Sequence, residues 1–170
     1  GHLTKKKFDN KEGGVEGKNW PNKYIKKSEF NSIEKSFFES ISRLSKKNKI
    51  ILIYPIPEVG WNVPNRLLQK IPKNVSKIGN YLVLENYITT SYKVFKDRTK
   101  STFELFDSLD KKNIHRVFPH KIFCNTIIPN RCITHDDKNI FYADDDHPSL
   151  KGAELINDLI MSEIKKIQNE

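Results

Sequence analysis

The sequence predicts an α/β sandwich, and three observations carry the prediction. Ile50-Ile51-Leu52-Ile53-Tyr54 is continuously apolar and mostly β-branched, the signature of a strand buried on both faces as in a parallel sheet. Stretches before and after it repeat apolar residues at helical spacing, and these helical stretches alternate with short strand-like runs. The 170 residues suit one domain, taken as 1–170, with 36% hydrophobic and 30% charged residues.

Residues 1–28 are polar, contain Gly13-Gly14 and Gly17, and read as loop. Asn31 or Ser32 can cap a helix over Ile33 to Lys47, whose Ile33, Phe37, Ile41 and Leu44 form one apolar stripe expected to be buried. The strand at Ile50 to Tyr54 ends at Pro55 and Pro57, which cannot donate to a ladder. A Pro- and Asn-rich loop is expected to run on to about Val75. Residues 76–90 are ambiguous, with Tyr81 to Leu84 a candidate short strand. A second helix fits residues 91–112 through Tyr92, Phe95, Phe103, Phe106 and Leu109, with Thr99 to Thr102 a candidate break. Ile114 to Val117 reads as a strand, and His115 and His120, near its two ends, read as surface or loop residues. Asn139 to Tyr142 reads as a last short strand. From Ser149, a candidate N-cap, Ala153, Ile156, Ile160, Ile164 and Ile167 keep helical spacing, and the isoleucines are expected to bury against the sheet.

The net charge of +9 raises nucleic acid or an anionic membrane as partners. Residues 1–50 hold 13 basic against 6 acidic residues, +7 of that +9. The basic runs are interrupted by acids and lack aromatic interleaving, so they read as a solvated lysine-rich surface and no nucleic-acid partner is expected. No apolar run approaches the roughly 20 residues that span a bilayer. No signal peptide precedes the polar start, and Gly1-His2 looks like an expression remnant, so the chain reads as a piece of something larger. The two cysteines, Cys124 and Cys132, are too few for a structural zinc site. They are either two free thiols or a short clip made in an oxidising compartment.

Chemistry concentrates in Tyr142-Ala-Asp144-Asp-Asp-His147-Pro-Ser149-Leu-Lys-Gly152-Ala153. An Asp three residues before a His can fold back and accept the Nδ1 proton, leaving Nε2 to take a proton from a hydroxyl nucleophile. Two other readings stand beside this one. Asp-rich turns commonly precede helices because Asp favours their positive end, and three carboxylates with a His could hold a divalent cation, although Asp145 and Asp146 are expected to point in different directions. Ser149, next to His147, reads as a helix cap rather than a nucleophile, and Gly152 as a place of close backbone approach. Trp61 either lines a cleft or packs.

The Asp144-Asp-Asp-His147 block ahead of a helix resembles the last motif of the SGNH hydrolase superfamily. More closely, the chain resembles the carboxyl-terminal part of the SGNH domain fused to type-3 integral-membrane acyltransferases, which modify surface polysaccharides. The matching pieces are Phe8-Asp-Asn-Lys-Glu-Gly-Gly-Val-Glu16, Ile53-Tyr-Pro-Ile-Pro-Glu58 with Val59 and Pro64 beyond, the Cys124 and Cys132 pair, and Tyr142 to Ala153. The resemblance implies a three-layer, flavodoxin-like α/β fold lacking its first strands, and a periplasmic or extracytoplasmic place in a bacterial inner-membrane protein. That location implies a Cys124–Cys132 disulfide. It also implies catalytic roles for His147 as general base and Asp144 as its orienter, in acyl transfer or ester hydrolysis on O-acetyl groups of envelope glycans. The implied partners are the acylated or acceptor glycan and a fused transmembrane acyltransferase domain, and the chemistry needs no metal or organic cofactor.

The departure from the family pattern is equally specific. The sequence has no Gly-Asp-Ser, Gly-x-Ser-x-Gly or Gly-x-Asn-Asp, so neither nucleophile nor oxyanion donors can be carried over. The expectation is a base and its orienter without the attacking hydroxyl, hence a chain inactive alone. A non-catalytic module binding glycan or a membrane partner is the alternative.

Overall fold

The computed structural model describes residues 8–16, 33–70 and 88–169. In chain order the elements are α1 (Ile33–Leu44), β1 (Ile50–Ile53), α2 (Val63–Lys70), β2 (Thr89–Ser91), α3 (Tyr92–Asp107), β3 (Ile114–Val117), α4 (His120–Phe123), β4 (Arg131–Ile133) and α5 (Leu150–Gln168). The mixture is α/β, as the alternating pattern predicts. Tyr81 to Leu84, the candidate strand, lies outside the described residues.

β1 and β3 pair in parallel with Ile50 opposite Ile114 and Ile53 opposite Val117. Alternation along the strands then sorts side chains to two faces. One face carries Leu52, Tyr54 and Ile114, which pack with Leu109 against Phe37 and Ile41 of α1 and Phe103 and Phe106 of α3. Tyr54 is the centre of this cluster: Phe103, Phe106 and Phe118 surround its ring at 4.4 to 5.1 Å, and its hydroxyl donates to Asp107 Oδ1 at 2.5 Å. The other face carries His115, whose Nδ1 lies 3.6 Å from Glu163 of α5, so helices flank the pair on both sides. β2 and β4 form a separate antiparallel pair.

Several expectations need correction. α2 occupies part of the stretch expected to be loop: Asn62 accepts from the Asn65 backbone N–H and starts the helix, and Val63 and Leu67 enter the core. Pro64, which reads as a loop residue, is tolerated because the N–H it lacks would have no intrahelical partner in the first turn. Asn139 to Tyr142 is not a strand but makes single bridges, His135 to Ile140 and Tyr142 to Pro148. β1 is not buried on both faces, since Ile53 is 47% exposed among the described residues. Nor is the α1 stripe buried: Phe37 and Ile41 pack, while Ile33 and Leu44 at its ends are exposed. α5 is a half-buried helix in which only Gly152 is fully covered, with Leu155 and Ile156 packing on the core. α3 runs through Thr99 unbroken, and the Thr99 hydroxyl donates to the Phe95 carbonyl within the helix.

Candidate functional site

The turn after β1 and the loop before α5 are joined by backbone bonds. The Val59 N–H donates to the Asp145 carbonyl at 2.7 Å and the Val63 N–H to the Asp144 carbonyl at 3.1 Å. Buried Tyr142 donates its hydroxyl to the Pro57 carbonyl at 2.8 Å. This explains why Tyr-Pro-Ile-Pro-Glu and Tyr142-Ala-Asp144, far apart in sequence, belong to one feature. The junction lies beyond the carboxyl end of β1, where open α/β sheets gather their sites.

The loop is closed on itself. Tyr142 and Pro148 form a bridge, and the Ala143 N–H donates to the His147 carbonyl at 2.8 Å. Asp144 Oδ1 accepts from the backbone N–H groups of Asp146 and His147 at 3.0 and 2.8 Å, the Asx turn that brings the ring back over its own loop. Ser149 then starts α5: its Oγ accepts from the Gly152 N–H and donates to the Ile140 carbonyl at 2.6 Å. The serine is thus committed to its cap. Gly152 is required by contact, since a Cβ there would lie 2.1 Å from the Phe141 carbonyl oxygen.

His147 Nδ1 lies 2.9 Å from Asp144 Oδ2. An ionised carboxylate only accepts, so Nδ1 carries the proton and Nε2 is the basic nitrogen. The ring itself is 73% exposed. Its pKa is raised, first by the hydrogen bond to Asp144 and then by the charge of Asp146. At Asp144 partial burial pushes the carboxyl upward, but hydrogen bonds from the His147 and Asp146 backbone and from the imidazole outweigh it, and the pKa is lowered.

Asp146 reaches the same ring: its Oδ1 is 2.8 Å from Nδ1. A residue adjacent to His147 reaches the ring because the Asx turn folds the chain under it. Burial raises the Asp146 carboxyl, and nearby Asp145, Asp144 and Glu16 add to this against the pull of His147. Asp144, Asp146 and His147 each offer a ligand atom within 4.8 Å of the others, the one such group among the described residues. A ligating ring nitrogen must be unprotonated, so a cation held at Nδ1 would have to displace the proton that faces the two carboxylate oxygens.

The Gly-rich piece borders this site. Asn10, fully buried, donates to the Val59 carbonyl at 2.9 Å, and Glu12 pairs with Arg131. Gly60 has φ +79°, and a Cβ there would meet the Gly14 carbonyl oxygen at 2.8 Å, so the two segments touch through backbone. Arg98 of α3 donates Nε to Glu58 at 3.0 Å and lies 4.0 Å from Glu16. Trp61 packs on the core under the Arg66 guanidinium, 4.2 Å above its ring.

The remaining histidines belong to the fold. His115 lies within β3 and is half-buried, and His120 is buried in α4, so neither is the surface or loop residue expected. His135 is buried with both nitrogens used: Nε2 accepts from the Ile88 N–H at 3.1 Å and Nδ1 donates to the Asp136 carbonyl at 3.0 Å. Cys124 and Cys132 are joined by a disulfide across a bridge between the end of α4 and β4. Among the described residues, no helix is long and apolar enough to cross a membrane.

No curated protein and no solved structure matches the chain. The family described as the SGNH domain fused to AT3 domains matches residues 5–162, which takes in the Gly-rich piece, the turn after β1, the disulfide and the Asp144–His147 loop. With that match over nearly its whole length, the chain belongs to the family of SGNH domains fused to AT3 domains, an acyltransferase-associated, hydrolase-like module.

Proposed function

We propose that the chain supplies the base half of a Ser-His-Asp acyl-transfer site. The observation that carries this is the exposed His147 ring with Nδ1 bound to Asp144 at 2.9 Å. A hydroxyl nucleophile outside the motifs of this chain attacks an acyl carbonyl, and His147 Nε2 takes its proton. The Nδ1 contact stabilises the imidazolium, which returns the proton to the leaving group. The acyl groups are O-acetyl groups of cell-envelope glycans, and the setting is extracytoplasmic. Membership of an AT3-fused family supports both, with the fused membrane domain as partner. We take residues 1–170 as part of one three-layer α/β domain. The helices on both faces of β1–β3 support that reading.

The test is turnover of the protein that carries this chain together with its AT3 domain. His147→Ala should cost at least about 10³-fold in acyl transfer, because triad members act as a unit. The 170-residue chain alone should not hydrolyse a small activated ester, since its sequence carries none of the Gly-Asp-Ser or Gly-x-Ser-x-Gly nucleophile motifs. Near-normal transfer by His147→Ala protein would overturn the reading and leave a non-catalytic glycan- or partner-binding module.

A further inference from the structure

A serine-hydrolase base needs one carboxylate on Nδ1, and this loop presents two. Asp144 Oδ2 and Asp146 Oδ1 lie 2.9 and 2.8 Å from His147 Nδ1. The two acids are held differently. Asp144 spends its other oxygen on the backbone of the turn, while Asp146 is the less exposed of the two, at 26%. From the geometry we infer that Asp146 is a second orienting carboxylate for His147, a positioning residue that shares the Nδ1 proton with Asp144. The inference rests on the acyl-transfer reading for its consequence in turnover, but not for its test.

A single N–H cannot point at two oxygens with good angles at once, so the ring is held between two alternative acceptors. Either one fixes the tautomer that leaves Nε2 basic, and both favour the imidazolium that forms when Nε2 accepts a proton. Loss of one acceptor therefore leaves the ring oriented by the other. The charged groups around the pair are Asp145 within the loop and Glu16 from the Gly-rich piece, the latter acting on Asp146. Asp145 tests whether proximity of charge alone accounts for the effect, because it contributes charge to His147 with no contact to Nδ1.

The experiment is a ¹H–¹⁵N NMR titration of His147 in this chain, with its amide spectrum as the check on folding. Asp146→Asn should move the His147 titration to lower pH. Asp144→Asn should also lower it, and the double variant should fall below either single one while losing the preference for the Nδ1–H tautomer. Asp145→Asn should shift it less than Asp146→Asn does. Asp146→Ser must reproduce Asp146→Asn, so that an amide-specific effect is excluded. A titration in Asp146→Asn superimposable on the wild type overturns the inference, as does an Asp145→Asn shift equal to that of Asp146→Asn. Because no substrate is involved, this result is separate from the turnover of His147→Ala protein.

Discussion

Acid should destabilise this protein through His120, and the size of the effect follows from what surrounds the ring. His120 sits at the start of α4 among Tyr92, Phe95, Phe103 and Phe118, with ring centroids 5.4 to 6.3 Å away. Its Nδ1 is buried and has no hydrogen-bond partner among the described residues. Burial, helped by the neighbouring Lys121 charge, pushes its pKa from 6.5 down to about 4. The unfolded chain therefore binds a proton between these values that the folded chain refuses. Stability is full above the unfolded value of 6.5, is lost as pH falls toward about 4, and loses nothing further to this group below that. A displacement of that size corresponds to a ceiling of about 3 kcal/mol, and relaxation and water entry reduce the expectation to roughly 2 kcal/mol. With a urea slope of about 2 kcal/mol per molar, that is a fall of about 1 M in midpoint between pH 7.5 and pH 4. His120→Leu keeps an apolar filler and removes the titration. The contribution of His135, also lowered chiefly by burial, is common to both proteins and cancels. Urea midpoints of wild type and His120→Leu should diverge by about that amount in favour of the variant as pH falls. A constant difference across the range would refute the reasoning.

Three further outcomes follow from contacts around the site. Gly152→Ala forces a Cβ to within 2.1 Å of the Phe141 carbonyl oxygen, which only backbone movement relieves; a loss of roughly 2–4 kcal/mol in thermal or urea unfolding is expected. Tyr142→Phe removes the donor to the Pro57 carbonyl and leaves a buried acceptor unpaired, at a cost of about 1–3 kcal/mol in the same assay. Reducing the Cys124–Cys132 bond, which closes a loop with a sequence separation of 8, should cost about 2–3 kcal/mol, and a melting point indifferent to reductant would contradict that.

Much of the site was written locally. Asp144 and His147 meet because a three-residue spacing and an Asx turn are properties of neighbouring residues, and Ser149 caps α5 for the same reason. β1 was legible because a β-branched run between helical segments has few alternatives, and β3 spans Ile114 to Val117 as expected, with Ile114 and Val117 at its two ends. What sequence could not supply were quantities that depend on distant partners. The burial of His120 is set by rings from α3 and from the end of β3. α2 hid behind Pro64 and Asn65, loop-like residues that an Asn62 cap and two core contacts turn into a helix. No role for Asp146 followed from its spacing to His147, whereas the folded turn brings it and Asp144, two residues apart, to one nitrogen. Residue type and short spacing were enough to bring Asp144 to His147 and to cap α5 with Ser149, because those contacts are made between near neighbours in the chain. That a second carboxylate converges on His147 depends on long-range contacts, because the backbone of residues 57–63 holds the loop in place.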